Sequence, residues 1–475
     1  MDLRPFWLAG RPATGEAELT VTNPHDGRVV AVCSVPTDGQ VEEAVAAAAA
    51  VRKQAAALPI HVRAEALAHV SRRLAERADE IAALITAENG KPIFWARGEV
   101  GRAISTFRFA AEETRRLSGE SVRLDTEAAS AGRLAYISRV PHGPILGISP
   151  FNFPLNLVAH KVAPAIAVGA PIVLKPAPAT PVSSLVLGEI LAETGLPEGM
   201  FSVLPVANDR AGALVDDPRL PVVSFTGSAP VGYAIIDQVP RKHVTLELGG
   251  NAAAVVLADA DLDWAASRIA LFSNYQAGQS CIAVQRVIVE ASVHDDLVAR
   301  LVPAVEALVT GDPADEKTQV GPLVSVEAAE RVEQWVAEAV SAGARLLTGG
   351  TRDGATFAPT VLADVPADAK VSREEVFGPV MVIQKVSGVD EAFAAVNDSR
   401  YGLQAGVFTR NLDHAFRANR ELEVGGVIIG DVPSYRADQM PYGGIKDSGV
   451  GREGIRSAIA DFTYEKVMVL TGLTL

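Results

Sequence analysis

The chain has 475 residues, 48% apolar and 21% charged, so it holds enough core for two or three domains and disorder is excluded. Its 43 basic and 57 acidic residues leave a net charge of −14, which excludes a general nucleic-acid or anionic-membrane surface because either would repel it. Two cysteines make no disulfide framework, the start Met1 to Pro5 lacks the apolar core of a signal peptide, and no apolar run approaches the ~20 residues that span a bilayer, so the expectation is a soluble, cytoplasmic protein.

A short strand region comes first. Val41 to Lys53 then follows the capping candidates Thr37 and Asp38, and His61 to Glu88 and Gly98 to Leu117 carry apolar residues at helical spacing. Gly119 to Val140 alternates β-branched and polar residues without a helix period, and the tail from Phe462 to Leu470 has the same texture. Both read as strands that leave the main body to pair with a partner chain. From Pro144 onward, short apolar runs alternate with helical stretches: Ile145 to Ile148, Pro171 to Leu174, Phe201 to Leu204, Val222 to Phe225 and Val244 to Leu248. That alternation predicts a parallel sheet covered on both faces. A second alternation runs through Ala253 to Leu257, Val287 to Glu290 and Gly426 to Ile429, so two α/β domains are expected to meet near Glu247 to Asn251. Asn397-Asp398-Ser399 reads as turn or capping chemistry rather than a glycosylation acceptor. Gly449-Val450-Gly451-Arg452-Glu453-Gly454 satisfies Gly-x-Gly-x-x-Gly, but no strand closely precedes it and too little chain follows for a βαβ unit; it reads as a turn before a helix.

Cys281 lies among small and polar residues, Gln276-Ala277-Gly278-Gln279-Ser280-Cys281-Ile282-Ala283, which suits a thiol that a substrate reaches; an inert buried cysteine is the bland alternative. Pro150-Phe151-Asn152-Phe153-Pro154 follows a strand, and its prolines would aim the Asn152 amide at the carboxyl end of the sheet, unless Asn152 is only a turn residue. Lys175-Pro176 likewise ends a strand, where a lysine meets a phosphate or ribose or stays a solvated loop charge. Phe225-Thr226-Gly227-Ser228 runs from a strand into a helix start, a place where free N–H groups and the helix dipole favour a pyrophosphate. In Leu246-Glu247-Leu248-Gly249-Gly250-Asn251 a carboxylate sits in an apolar strand, where burial raises its pKa and fits it for general-base work; a partner-satisfied buried glutamate would look the same.

Together with Glu374-Glu375-Val376-Phe377-Gly378-Pro379, Pro441-Tyr442-Gly443-Gly444 and Lys446-Asp447-Ser448-Gly449, these segments occur in the order of the aldehyde dehydrogenase superfamily, which the chain resembles over nearly its whole length. The resemblance implies a thiolate at Cys281, an oxyanion held by the Asn152 amide and the Cys281 N–H, and Glu247 activating the water that hydrolyses the thioester. It implies a proton relay at Glu453 and no metal. It places Ile148, Ser149, Phe151, Lys175, Ala177, Pro178, Arg210, Phe225, Gly227, Ser228, Leu248, Glu375 and Phe377 against NAD or NADP. Lys175 and Glu375 would hold ribose hydroxyls, Ser228 the pyrophosphate and Phe377 the nicotinamide ribose. Pro178 stands where NAD-preferring members often carry glutamate, and Arg210 would help a 2′-phosphate, so the preference between the two cofactors stays open.

The implied fold is α/β, with two Rossmann-like parallel-sheet domains and a β arm. Coenzyme would bind to residues 1–118 and 141–247, catalysis would occupy residues 248–446, and residues 119–140 and 462–475 would form an oligomerisation arm of a homodimer or homotetramer. Arg108, His160 and Arg436 look placed to face the aldehyde tunnel, beside Ser280, Ile282 and Tyr442, and two arginines with a histidine suit a small anionic aldehyde. These positions resemble the branch containing non-phosphorylating glyceraldehyde-3-phosphate, lactaldehyde and phosphonoacetaldehyde dehydrogenases. Ser280 departs from the arginine that commonly precedes the cysteine in phosphate- and phosphonate-using members. The expected reaction is oxidation to the free acid. CoA acylation is the near alternative, which Glu247 counts against, and a catalytically silent structural member is the distant one.

Overall fold

Thr37 starts the first long helix, Asp38–Ala56, with a capping box: its Oγ1 accepts from the Gln40 N–H at 3.2 Å and its own N–H donates to Gln40 Oε1 at 2.9 Å. The structure, a computed structural model, describes residues 3–474; the readings at Met1, Asp2 and Leu475 lie outside them. The expected run from His61 to Glu88 is two helices, Ile60–Glu76 and Ala78–Asn89, which part at Arg77 where φ is −108°. Both pack on one later helix, Ile93–Thr114, so one apolar period continues across the break. That later helix begins at Ile93 rather than near Gly98. Gly90, at φ +76°, ends the preceding helix and Pro92 is the N-cap, while Gly98 and Gly101 blur the helical signal in the sequence.

Two sheets carry the architecture. The first has eight strands, in the order Gly449–Val450, His243–Glu247, Val222–Thr226, Ile145–Ile148, Ile172–Lys175, Phe201–Val203, Phe6–Leu8 and Arg11–Ala13. Its five central strands are parallel and its flanking strands antiparallel. Ile145–Ile148 and Ile172–Lys175 are buried at every position, as strands covered on both faces must be. The helix Asn156–Val168 is likewise buried throughout.

The second sheet has seven strands, with Ala253–Val256 between Arg286–Glu290 and Gln404–Phe408, all parallel except the edge strand Arg345–Thr348. The chain passes from one sheet to the other between Glu247 and Ala253. It then returns, because Gly449–Val450 pairs antiparallel with Leu246 and Glu247. The Gly-x-Gly-x-x-Gly segment is therefore this short edge strand followed by a turn into the helix Ile455–Asp461, which brings Glu453 beside Glu247. The segments Glu120–Arg123, Leu134–Pro141 and Thr463–Leu470 form a separate three-stranded antiparallel sheet with Leu134–Pro141 in the middle. Within the chain these strands pair with one another.

Candidate active site

A cavity of about 1120 Å³ runs between the carboxyl ends of the two sheets. Strand-end residues Ile148, Lys175, Thr226 and Glu247 come from the first sheet, and Cys281, Glu375 and Phe377 from segments around the second. Parallel sheets open such clefts where their strands end.

The thiol is presented by a strained segment. Gln276 and Ala277 hold φ of 52° and 53°, and Gly278 follows at 70°, where a Cβ would lie 2.1 Å from the Gly378 carbonyl oxygen. A side-chain-bearing residue held there costs about 1–3 kcal/mol. Side-chain hydrogen bonds offset that strain: Gln276 Nε2 donates to the Asn152 carbonyl, and Gln279 Oε1 accepts from the Val324 N–H at 2.9 Å. Cys281 Sγ, half-buried, then stands 2.9 Å from Tyr442 Oη. Burial pushes the thiol above its ordinary value and the Tyr442 hydroxyl pulls it back in part. The second cysteine, Cys33, is buried within the first core.

Asn152 sits in a loop pinned from several sides. Asn89 Nδ2 donates to the Phe151 carbonyl at 2.8 Å, Ser184 Oγ to the Pro154 carbonyl at 3.1 Å, and Lys91 Nζ lies 4.1 Å over the Phe153 ring. Glu99 Oε1 accepts from the Leu155 and Asn156 N–H groups at 2.9 and 3.1 Å. Asn152 Nδ2 donates one hydrogen to the Gln279 carbonyl at 3.0 Å, which fixes the amide plane and leaves its second hydrogen free. Among the described residues the Cys281 N–H enters no backbone hydrogen bond. Two free donors thus lie in the neighbourhood of the sulfur.

Glu247 ends the strand His243–Glu247 and is buried, its Oε1 accepting from the Glu453 N–H at 3.2 Å while Oε2 has no partner among the described residues. Burial, then the charge of Glu453, pushes Glu247 well above the ordinary carboxylate range. Burial acts on Glu453 in the same sense, but Lys161 and Arg436 beside it outweigh that and hold it below its ordinary value. Lys161 Nζ is 3.4 Å from Glu453 Oε1 and donates to Thr226 Oγ1 at 2.7 Å; Arg436 Nη2 donates to Glu453 Oε2 at 3.1 Å. Of the two carboxyls, Glu247 is the one held high and Glu453 the one held low.

The cofactor candidates line the cleft with one exception. Ile148, Ser149, Phe151, Lys175, Ala177, Pro178, Phe225, Gly227, Ser228, Leu248, Glu375 and Phe377 all face it. Ser228 is the N-cap of the helix Ala229–Gln238 and spends no side-chain bond on capping, so its hydroxyl and the first-turn N–H groups are available. Lys175 Nζ donates to Asn208 Oδ1 at 2.7 Å, and burial brings its pKa down to about 8. Glu375, raised to about 7 by burial, accepts from the Gly250 N–H at 3.0 Å, and a Cβ at Gly249 would lie 2.1 Å from its Oε2. Ser149 Oγ is buried without a partner among the described residues. Orphaned hydroxyl, strand-end amine and helix N-terminus in one cleft suit the ribose and diphosphate of a dinucleotide. Arg210 is the exception: its guanidinium pairs with Asp38 and the Pro36 carbonyl instead of turning to the cleft.

The substrate candidates divide. Ser280, Ile282, Arg436 and Tyr442 line the cavity, although Ser280 Oγ is taken by Tyr275 Oη. Arg108 does not reach it. Its side chain is exposed and folds over the Phe109 ring, 5.0 Å from the centroid. The same helix brings in Arg102 instead, which donates to Asp438 Oδ1 at 2.9 Å. His160 lies behind the wall, with Nε2 3.1 Å from Asp438 Oδ1, so it holds the partner of Arg102 rather than the cavity. Burial, then the charge of Arg436, lowers its pKa. Sequence reasoning also missed Lys161, Tyr275 and Gln276. Lys161 is nine residues past Asn152, far enough round a fully buried helix that no amphipathic pattern marks it.

Two parallel sheets opening onto one dinucleotide-sized cleft, with a thiol and a buried carboxyl facing into it, define an α/β dehydrogenase. The profile of the Aldehyde dehydrogenase family matches residues 11–468, and the chain belongs to that family. It is 43% identical over 466 residues to a 3-sulfolactaldehyde dehydrogenase of Priestia aryabhattai, covering 98% of this chain and 97% of that one. The crystal structure of aldehyde dehydrogenase 21 from Physcomitrella patens, in complex with the reaction product succinate, superposes with a TM-score of 0.97 at 45% identity, covering 99% and 98% of the two chains. An NADP-dependent glyceraldehyde-3-phosphate dehydrogenase from Bacillus halodurans, complexed with NADP, gives 0.96 at 35% identity, covering 99% and 100%. The protein is an NAD(P)-dependent aldehyde dehydrogenase.

Proposed function

We propose that the enzyme oxidises a short aldehyde bearing an anionic group to the free carboxylic acid, with Cys281 as nucleophile. The observation that carries this reading is that Cys281, Arg102 and Arg436 line one cavity, each arginine keeping a guanidinium donor beyond its carboxylate partner, Asp438 or Glu453. Three of the relatives' names fit this reading, since sulfolactaldehyde, glyceraldehyde 3-phosphate and succinate are anionic, whereas the lactaldehyde dehydrogenases among them are named for a neutral aldehyde.

Attack by the Cys281 thiolate gives a thiohemiacetal whose oxyanion is held by the free Asn152 amide hydrogen and the Cys281 N–H. Bound nicotinamide supplies the hydride acceptor. Glu247, once ionised, takes a proton from the water that hydrolyses the thioester; its Oε1 accepts the Glu453 backbone N–H, and the Glu453 carboxyl is held in place by Thr226 and Lys161. Lys175 and Glu375 hold ribose hydroxyls, Ser228 and its helix the diphosphate, and Phe377 the nicotinamide side. With Pro178 in place of an acid, one repulsion of a 2′-phosphate is removed, and either cofactor is accommodated. The first sheet serves the coenzyme and the second carries the thiol; the three-stranded arm joins copies into a homodimer or homotetramer, and the cytoplasm is the compartment in which the thiol stays reduced. No helix among the described residues is long and apolar enough to cross a membrane.

The test is a turnover panel of neutral, carboxylated, sulfonated and phosphorylated aldehydes with each cofactor, on the wild type and on Arg102→Ala. Loss of one charge-assisted contact costs roughly 1.5–3 kcal/mol, so kcat/KM for the anionic aldehydes should fall about 10- to 100-fold and that for neutral ones stay level. Equal turnover of neutral and anionic aldehydes by the wild type would refute the anionic pocket.

A further inference from the structure

The reading of Cys281 as nucleophile leaves one neighbour without a task. Tyr442 is buried, 4% exposed, and among the described residues its Oη has a single partner, Cys281 Sγ at 2.9 Å. Its ring is fixed from the other face by Arg436, whose guanidinium carbon lies 3.8 Å from the ring centroid. Arg436 is itself fixed, with a side chain 5% exposed and Nη2 on Glu453. The Tyr442 backbone is locked as well: its N–H donates to the Glu453 carbonyl at 3.0 Å and its carbonyl accepts from the Glu453 N–H at 2.7 Å. The ring that carries the hydroxyl is thus held in place beside the sulfur.

We propose that the Tyr442 hydroxyl donates the hydrogen bond that holds the Cys281 thiolate before attack, and that Arg436 fixes the ring that carries it. This rests on Cys281 as the nucleophile. The phenol keeps its proton, because burial pushes its pKa well above the ordinary tyrosine value. The thiol proton leaves to water in the cleft, and the resulting sulfur charge is met by the hydroxyl. As the S–C bond forms, the negative charge passes from sulfur to the carbonyl oxygen and the hydroxyl's hold weakens, so Tyr442 stabilises the thiolate more than the adduct. The result is a thiol that ionises at lower pH and is slightly less nucleophilic once ionised. At neutral pH, where ionised thiol is scarce, the first effect exceeds the second.

The test is the pH profile of Cys281 alkylation by iodoacetamide, followed by peptide mass, in the wild type, Tyr442→Phe and Tyr442→Met. Both variants lack the hydroxyl, and Phe keeps the ring beneath Arg436. Retained NADPH binding, read by fluorescence, shows that a variant is folded, and if one variant loses it the other carries the comparison. The midpoint should rise by about one pH unit in both, with alkylation on the acid limb about three- to fourfold slower, as expected for a nucleophilicity exponent of roughly 0.4–0.5. A midpoint that stays within a few tenths of the wild-type value overturns the proposal, because a packing role would lower the rate equally at every pH. Cys281→Ala separates the two readings: turnover surviving in that variant removes the nucleophile, whereas a wild-type profile in Tyr442→Phe removes only the hydroxyl's part.

Discussion

Two carboxyls whose environments drive them apart stand side by side at Glu247 and Glu453, and the difference is one of neighbours. Glu453 has Lys161 and Arg436; Glu247 has burial, a single N–H and one oxygen without a partner. A carboxyl raised this way is neutral below its folded pKa, where it cannot accept a proton, and ionises as pH rises. Hydrolysis of the thioester should therefore quicken with pH through the Glu247 titration. Glu247→Gln should lose that limb altogether: steady-state kcat falls about 10²- to 10⁴-fold, the usual contribution of a general base, while a first-turnover burst of reduced cofactor persists because Cys281 is untouched. Stopped-flow absorbance of the reduced cofactor checks both. A variant with neither burst nor turnover would place Glu247 in the first half-reaction instead. The thiol gives a second pH-dependent limb of the same sign, and it belongs to the burst rather than to kcat.

The loop Phe151–Pro154 is held by side chains from several elements, Asn89, Thr180, Gln276 and Ser184, and the helix Ile93–Thr114 fixes the chain just past it. Glu99 on that helix accepts two N–H groups just past Asn152 while pairing with Lys91, and both side chains are wholly buried. Lys91→Met would leave a buried carboxylate unpaired, a cost of about 3–5 kcal/mol. The expected outcome is a lower midpoint in urea together with a lower kcat, as the Asn152 amide loses its fixed direction; an unchanged midpoint would show the pair to be dispensable. The same helix shows where sequence reading succeeds and where it stops. Strand ends and the residues upon them, Asn152, Lys175, Glu247 and the Phe225–Ser228 turn, were legible because a strand buried on both faces is a continuous apolar run and the ligand-facing residues follow its last position. Helix phase was not. Arg108 lies six residues beyond Arg102, about 240° further round, so choosing the wrong arginine selects the wrong face. Arg210 and His160 failed for another reason: both reach toward the expected region in sequence, but Asp38 and Asp438, distant in the chain, claim their side chains.

Net charge describes the whole surface and says nothing of the cleft, where Arg102, Arg268, Arg331 and Arg436 stand with Glu99, Glu247, Glu375 and Glu453 in a chain that carries −14. That excess matters when copies meet, because two such chains repel and only buried apolar area can hold them together. The arm offers that area. In the strand Thr463–Leu470, Val467, Met468 and Val469 are 56%, 51% and 49% exposed, and the side chains are uncovered on both faces of the strand. Its outer edge is unpaired among the described residues, since the sheet order places it beside Leu134–Pro141 alone. An apolar edge strand left open is a pairing template that soluble proteins cover or charge. A second copy is the expected cover, and Val467→Lys with Val469→Lys places two cations on one face of that strand, where pairing would bury them. Sedimentation velocity should then show the wild-type oligomer replaced by a 49.8 kDa monomer, with circular dichroism unchanged because neither side chain packs on the chain's own core. Added salt should tighten the wild type modestly, since screening shortens to about 8 Å at physiological ionic strength and the like charges are felt less. A wild-type chain that sediments as a monomer, or a doubly substituted chain that keeps its oligomer, would assign the exposed strand to some other partner.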